Sequence, residues 1–253
     1  MGRKTVVIGA MKPMTAGHYK LITEAVADTK VPPGEVESNE TYVLMSIQDR
    51  SRKGEMNIQG ETSLEALRDL YLPSSDFMRF DNNLKNVYLI LCHSSKFAKD
   101  NPERMLYIKT VVDEIYEVLS NNGITNVSVD LQEVRSGPPD YLIDLATNNP
   151  DDDFVLYTGK DDLSKYAYMP RYAQNISFAG FERFSAGLSG TETRKLMQKD
   201  TLTPEEEERL AMAFPKGVDP NLVRGLYRRK SGLVNENFSR DEIKNYFYGI
   251  MKL

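Results

Sequence analysis

The residues that could do chemistry fall in two short stretches far apart in the chain. The first is Gly9-Ala10-Met11-Lys12-Pro13-Met14-Thr15-Ala16-Gly17-His18. It follows a β-branched run, Thr5–Ile8, that reads as a buried strand, and it precedes a helix beginning near Gly17. In an α/β sheet, ligands bind outside the carboxyl ends of the strands. A helix that starts there offers free backbone N–H groups and the positive end of its dipole to a phosphate. Gly17 would let that phosphate approach the backbone closely, and His18, in the first turn, could donate a hydrogen bond to it. The second stretch is Leu188-Ser189-Gly190-Thr191-Glu192-Thr193-Arg194: a Ser/Thr cap, a helix start, and an arginine one turn in. A guanidinium fork suits phosphate oxygens better than a point charge does.

Two further segments sit after expected strands. Ser46-Ile47-Gln48-Asp49-Arg50-Ser51-Arg52-Lys53-Gly54-Glu55 is a local basic cluster, with Arg50, Arg52 and Lys53 able to grip the phosphate of an acceptor. Tyr157-Thr158-Gly159-Lys160-Asp161-Asp162 follows another buried strand. His93 ends a third strand and could line an acceptor pocket. Taken alone, each of these has an ordinary structural explanation as a turn, a solvated loop or a strand end.

The elements needed to position these residues are legible as an alternation. Strands are expected at Thr5–Ile8, Thr41–Ile47, Asn86–Cys92, Val127–Val134, Phe154–Tyr157 and Ile176–Phe181. Helices are expected over Gly17–Ala27, Ser63–Tyr71 and Tyr141–Ala146, and along the stripe Ile108, Val111, Val112, Ile115 and Leu119. Gln48–Glu61 reads as a long polar loop. This alternation predicts an α/β, Rossmann-like, doubly wound and mainly parallel sheet over residues 1–200, with a helical extension over 201–253. In that extension, Thr203-Pro204-Glu205-Glu206 and Ser239-Arg240-Asp241-Glu242 are helix starts. Ile243, Tyr246, Phe247 and Ile250 form an amphipathic face, expected to dock on its own domain rather than on a neighbouring subunit.

Composition narrows the function classes. With 253 residues, 40% hydrophobic and 27% charged, the chain can bury a sizeable core. A net charge of −5 argues against nucleic-acid binding by bulk charge. One cysteine, Cys92, and two histidines leave no intrachain disulfide and too few ligands for a Cys/His zinc site. No apolar run approaches the roughly 20 residues of a membrane span, and Val6 stands where a myristoylation signal needs Ser or Thr. The expectation is a cytoplasmic protein with no membrane or nucleic-acid partner, in which any metal is a hard cation held by oxygens or by a bound nucleotide.

The first stretch resembles the signature of the HxGH nucleotidylyltransferase superfamily, the cytidylyltransferase-like adenylyl- and cytidylyltransferases, usually Gly-x-Phe-x-Pro-x-(His/Thr)-x-Gly-His. Gly9, Pro13, Thr15, Gly17 and His18 match, and Met11 stands where Phe is usual. Leu188–Arg194 resembles the second signature, (Ile/Leu)-Ser-(Ser/Gly)-Thr-x-x-Arg. The basic cluster is similar to one in phage-encoded and bacterial members. The resemblance covers about residues 4–200 and implies transfer of AMP or CMP from ATP or CTP, with Mg²⁺, to a phosphorylated small molecule, releasing pyrophosphate. It leans slightly toward adenylyl transfer to a nicotinamide-nucleotide-like acceptor. A CDP-forming enzyme and a catalytically silent nucleotide-binding scaffold are the alternatives. The resemblance implies that His18 donates to the α-phosphate, and that Lys12, Thr15, Thr191 and Arg194 hold the triphosphate. Gly9, Ala10, Met11, Gly17, Ser189 and Gly190 would line the nucleotide, with Gly159 and Asp161 near its base and ribose. Homo-oligomers are common among such proteins.

Overall fold

Inner strands such as Asn86–Ser94 are hydrophobic on both faces, and this makes the sheet a buried middle layer. A computed structural model of the chain describes residues 2–28, 34, 38–74, 85–182 and 188–233. Six strands pair in parallel throughout: β1 (Arg3–Gly9), β2 (Glu40–Ser46), β3 (Asn86–Ser94), β4 (Val127–Val134), β5 (Asp153–Gly159) and β6 (Ile176–Phe181). Their spatial order is β4-β3-β2-β1-β5-β6. The chain runs outward from β1 to β4 and then returns to the other side of β1. The connections therefore diverge between β1 and β5, and a crevice opens at their carboxyl ends. This is the α/β Rossmann-like fold expected from the alternation.

The helices are α1 (Ala16–Ala27), α2 (Gly60–Ala66), α3 (Ser95–Asp100), α4 (Pro102–Asn121), α5 (Pro138–Asn148), α6 (Leu163–Tyr166), α7 (Gly190–Gln198), α8 (Pro204–Met212) and α9 (Pro220–Lys230). They divide between the two faces. Val7, Val43, Leu89, Val129 and Val155 pack with α1, α2, α4 and α7–α9 in one cluster. Their neighbours of opposite parity, Val6, Leu44, Ile90 and Leu156, pack with α5 and with Met169 and Ala173 in the other. This is the period-two alternation of a pleated strand sandwiched between helical layers.

The helical extension, as far as residue 233, joins the first cluster through Leu210, Phe214, Val218, Val223, Leu226 and Tyr227. The Ala16 N–H donates to the Ala213 carbonyl at 2.8 Å, so the end of α8 seats the start of α1. Arg228 donates to carbonyls at the end of α7, among them that of Gln198 at 2.8 Å, and to Asp200 at 2.7 Å. A cation there offsets the negative end of the α7 dipole. The amphipathic segment around Ile243–Ile250 lies outside the described residues.

Two details depart from the expected elements. The Gln48–Glu61 segment is not all loop: Arg50 and Ile58 exchange backbone hydrogen bonds of 2.8 and 2.9 Å, and α2 already begins at Gly60. The Asp49 carboxylate accepts from the Gly60 N–H at 3.1 Å, so the cap of α2 comes from eleven residues upstream. A Cβ on Gly60 would lie 1.5 Å from the Ile47 carbonyl oxygen, so only glycine fits. Beyond α2, a π-helical turn over Leu67–Tyr71 aims the Tyr71 hydroxyl at the Met14 carbonyl, 2.6 Å away.

Candidate active site

The β1–α1 turn is shaped by its own side chains. Thr15 is the N-cap of α1: its hydroxyl accepts from the His18 N–H at 3.5 Å, while the Thr15 N–H donates to His18 Nδ1 at 3.1 Å. This is a capping box in which histidine replaces the usual Glu or Gln. The geometry fixes the tautomer. A backbone N–H can only donate, so Nδ1 carries the lone pair and the imidazole proton sits on Nε2. Burial, with Arg194 and Arg50 nearby, lowers the His18 pKa to about 4, and Asp162 only partly opposes them. His18 is therefore a neutral donor at physiological pH, and Nε2 is the nitrogen left to donate. Gly9 makes room for this: a Cβ there would lie 3.4 Å from His18 Cδ2 and 3.1 Å from Met11 Cγ.

Arg194 reaches the same turn from the far end of the sequence. It is 4% exposed. Its Nη1 donates to the Lys12 carbonyl at 3.1 Å, its Nη2 to Thr191 Oγ1 at 3.0 Å, and its Nε to Glu55 Oε2 at 2.7 Å. Ser189 caps α7 in a reciprocal pair with Glu192, with bonds of 3.2 and 2.9 Å. A Cβ on Gly190 would press on Arg194 Nη1 at 3.1 Å, so this glycine leaves space for the guanidinium. Lys12 is also buried, and its ammonium donates to the Gln48 carbonyl. Burial pulls its pKa from 10.5 to about 8, with Asp49 and Glu61 opposing that effect and Arg50 and Arg104 adding to it.

The two helix starts leave donors unclaimed. At α1, the Ala16, His18 and Tyr19 N–H groups have acceptors, in Ala213, Thr15 Oγ1 and the Thr15 carbonyl. At α7, the Glu192 and Thr193 N–H groups go to Ser189. The N–H groups of Gly17, Gly190 and Thr191 have no acceptor among the described residues. Such N–H groups at helix starts are anion ligands.

The structure thus brings Gly9, Lys12, Thr15, His18, Thr191 and Arg194 into one neighbourhood, with Gly17, Ser189 and Gly190 at the helix starts. Thr15 is spent on the cap, so its described contacts orient His18. The Met11 side chain is buried in the core beneath the turn, and Ala10 is half-buried. Gly159 ends β5 beside β1, and a Cβ there would meet open space. Arg50 lies 3.6 Å from Glu55, whereas Arg52 and Lys53 are exposed at the tip of the bridged 50–58 segment. His93 is not among this group. It is buried two strands away and lines a cavity of about 650 Å³ with Ala98, Met105, Leu106, Lys109, Leu131 and Glu133.

Sequence reasoning singled out Asp161, which is exposed, but it is Asp162 whose charge acts on His18. It also gave no role to Glu55, a carboxylate inside a basic run. Nor did it single out Arg104, which donates to both Asp49 and Glu61 at 2.6 and 2.7 Å.

No protein-family profile matches the sequence, and no curated protein does. Among solved structures, the chain is similar to TmcAL from Thermotoga maritima bound with α-thio ATP, at 15% identity and a TM-score of 0.37. That match covers 92% of this chain and 56% of TmcAL, so the chain spans a little over half of that protein's length. It is also similar to nicotinic acid mononucleotide adenylyltransferase from Plasmodium falciparum complexed with NaAD, at 11% identity and a TM-score of 0.36. Here 94% of this chain and all of that one are covered.

Proposed function

We propose that this chain is a nucleotidylyltransferase that moves a nucleoside monophosphate, AMP in the first place, from a nucleoside triphosphate to a phosphorylated small molecule and releases pyrophosphate. The single observation that carries this reading is the bond from Arg194 to the Lys12 carbonyl, 182 residues away in sequence. It joins two helix starts, three unclaimed N–H groups and a neutral histidine at the crevice between β1 and β5. Cations and outward N–H groups converging at such a crevice are suited to a polyphosphate.

In this reading, an acceptor phosphate oxygen attacks the α-phosphorus in line, and the bond to the bridging oxygen of pyrophosphate breaks. Positioning and charge stabilisation supply the catalysis, without a covalent enzyme intermediate. His18 Nε2–H donates to a non-bridging α-phosphate oxygen as charge builds. Lys12, Arg194, and the Gly17, Gly190 and Thr191 N–H groups hold the departing phosphates. Gly159 and the Asp161–Asp162 turn border the nucleoside. Arg50, Arg52 and Lys53 meet the acceptor's phosphate, and the His93 cavity is a shaped space on the same sheet edge for the rest of the acceptor. Residues 1–200 carry this chemistry, and the described helices after them buttress α1 and α7. The donors of the site are cations, hydroxyls and amides, which fit phosphate oxygens rather than a divalent cation. Mg²⁺ would accordingly arrive on the triphosphate, where it neutralises phosphate charge.

The test is heat-unfolding with Mg²⁺ and each of ATP, CTP, GTP and UTP. A nucleotide at a hundredfold excess over its dissociation constant adds about 2.7 kcal/mol of stability. A shift with ATP that is lost in Arg194→Ala is expected, whereas a shift with CTP alone would make the transferred group CMP. With the donor known, His18→Ala should lower turnover by about 10²–10³, the usual cost of one oxyanion-type donor. Near-normal turnover in that variant would remove His18 from the reaction.

A further inference from the structure

Glu55 is a carboxylate in the midst of the cations proposed to hold phosphate. Its Oε2 lies 2.7 Å from Arg194 Nε and 3.6 Å from Arg50 Nε. All three guanidinium nitrogens of Arg194 have protein acceptors, two of them neutral oxygens and the third this carboxylate. Arg50 Nε is buried and makes no hydrogen bond among the described residues, since the carboxylate stands just beyond bonding distance. The Glu55 carboxyl is held below the usual carboxylate range: burial opposes ionisation, and Arg194, Arg50 and Arg52 outweigh it. It is thus an anion on the cations of the site.

We infer that Glu55 is an internal competitor for the triphosphate, an autoinhibitory contact that the nucleotide must displace. The inference rests on the nucleotidyl-transfer reading of the same site. Two facts make displacement feasible. Glu55 lies on a segment anchored at its base by the Arg50–Ile58 bridge, by the Ser231 hydroxyl donating to the Asn57 carbonyl at 2.7 Å, and by the buried side chains of Met56 and Ile58. Its upper part, Ser51–Gly54, is exposed, and Gly54 adopts φ +78°, so the stretch leading to Glu55 has space to move. A polyphosphate would offer Arg194 more negative charge than one carboxylate, and it could not share the guanidinium with that carboxylate without repulsion.

Glu55→Gln keeps the shape and an oxygen acceptor for Arg194 but removes the charge. Titration calorimetry with Mg-ATP, and with inorganic pyrophosphate, on wild type, Glu55→Gln and Arg194→Gln tests the inference. A contact closed nine-tenths of the time weakens apparent affinity about tenfold, so Glu55→Gln should bind ATP and pyrophosphate about tenfold more tightly than wild type. Equal or weaker binding by Glu55→Gln, with wild type binding normally and Arg194→Gln not binding, would overturn the inference. Glu55 would then be a fixed support of Arg194, and the nucleotide reading would stand. Absence of binding in both wild type and Glu55→Gln would overturn the two together. Amide hydrogen exchange on the wild-type chain supplies a readout that needs no variant. Saturating Mg-ATP should speed exchange at the Glu55 N–H, which now donates to the Arg52 carbonyl at 2.9 Å, by threefold or more. Unchanged or slower exchange there would count against displacement.

Discussion

Lys12 is where the stability of the fold and the proposed binding of a triphosphate pull in opposite directions. Its ammonium is buried, and burial lowers its pKa from 10.5 to about 8. Between those two pH values the unfolded chain keeps the proton and the folded chain has released it. The unfolded state then binds more protons, so stability rises with pH across this window and is lower by the full amount below pH 8. At 1.36 kcal/mol per pH unit, the gap between the two pKa values corresponds to about 3 kcal/mol. The perturbation is Lys12→Met, which keeps an apolar stem and removes the titrating group. It also strips the Gln48 carbonyl of a donor, at a cost of about 1–3 kcal/mol that does not vary with pH. The informative quantity is therefore the pH dependence, read from urea unfolding of both proteins between pH 7.5 and 10.5. The stability of wild type minus that of Lys12→Met should rise by about 3 kcal/mol over that range. Since a bound triphosphate would favour the ammonium, wild-type affinity for ATP should also fall as pH rises above 8. Stability curves that run parallel for the two proteins would refute the reasoning, because Lys12 would then ionise as it does in water.

The two remaining predictions concern glycines of opposite kinds. A Cβ on Gly17 would meet nothing closer than Thr15 Oγ1 at 3.7 Å, so packing does not require glycine there. Gly17→Ala should leave the fold as stable or up to about 1 kcal/mol more stable by heat-unfolding, yet weaken ATP binding at least roughly tenfold. Unchanged affinity would mean that no ligand approaches that N–H. Gly60→Ala, by contrast, drives a Cβ onto the Ile47 carbonyl and should cost about 3 kcal/mol or more in urea unfolding. A loss below about 1 kcal/mol would show that α2 can shift away from β2 at little cost.

Much of the fold was legible because its signals are local. Runs such as Val87–Cys92 are apolar throughout, as strands buried on both faces must be, and all six expected strands are present. The helix over Pro102–Asn121 follows from its apolar stripe, and α7 and α8 from their Ser/Thr caps. The start of α2 was not legible, because the Asp49 carboxylate that caps it lies eleven residues away and the Gly60 N–H it caps carries no helix-start signal of its own. The start of α9 was also passed over, although Asp219 caps it and Pro220 follows at the first helical position.

The candidate site divides in the same way. By itself the sequence determined the six-strand alternation and the local chemistry of the two signature stretches: Thr15 three residues before His18, and Ser189 three before Glu192. Those spacings fall within one or two helical turns, so a cap and its partner meet without help from the rest of the chain. Only the tertiary structure decided what lies between the stretches. The strand order set β1 beside β5, and the packing of α7 against α9 carried Arg194 to Lys12. The bridge between Arg50 and Ile58 turned a solvated basic run into a segment that sets Glu55 on that arginine. Contacts across 139 and 182 residues depend on the summed burial of a whole domain, and no local pattern encodes them.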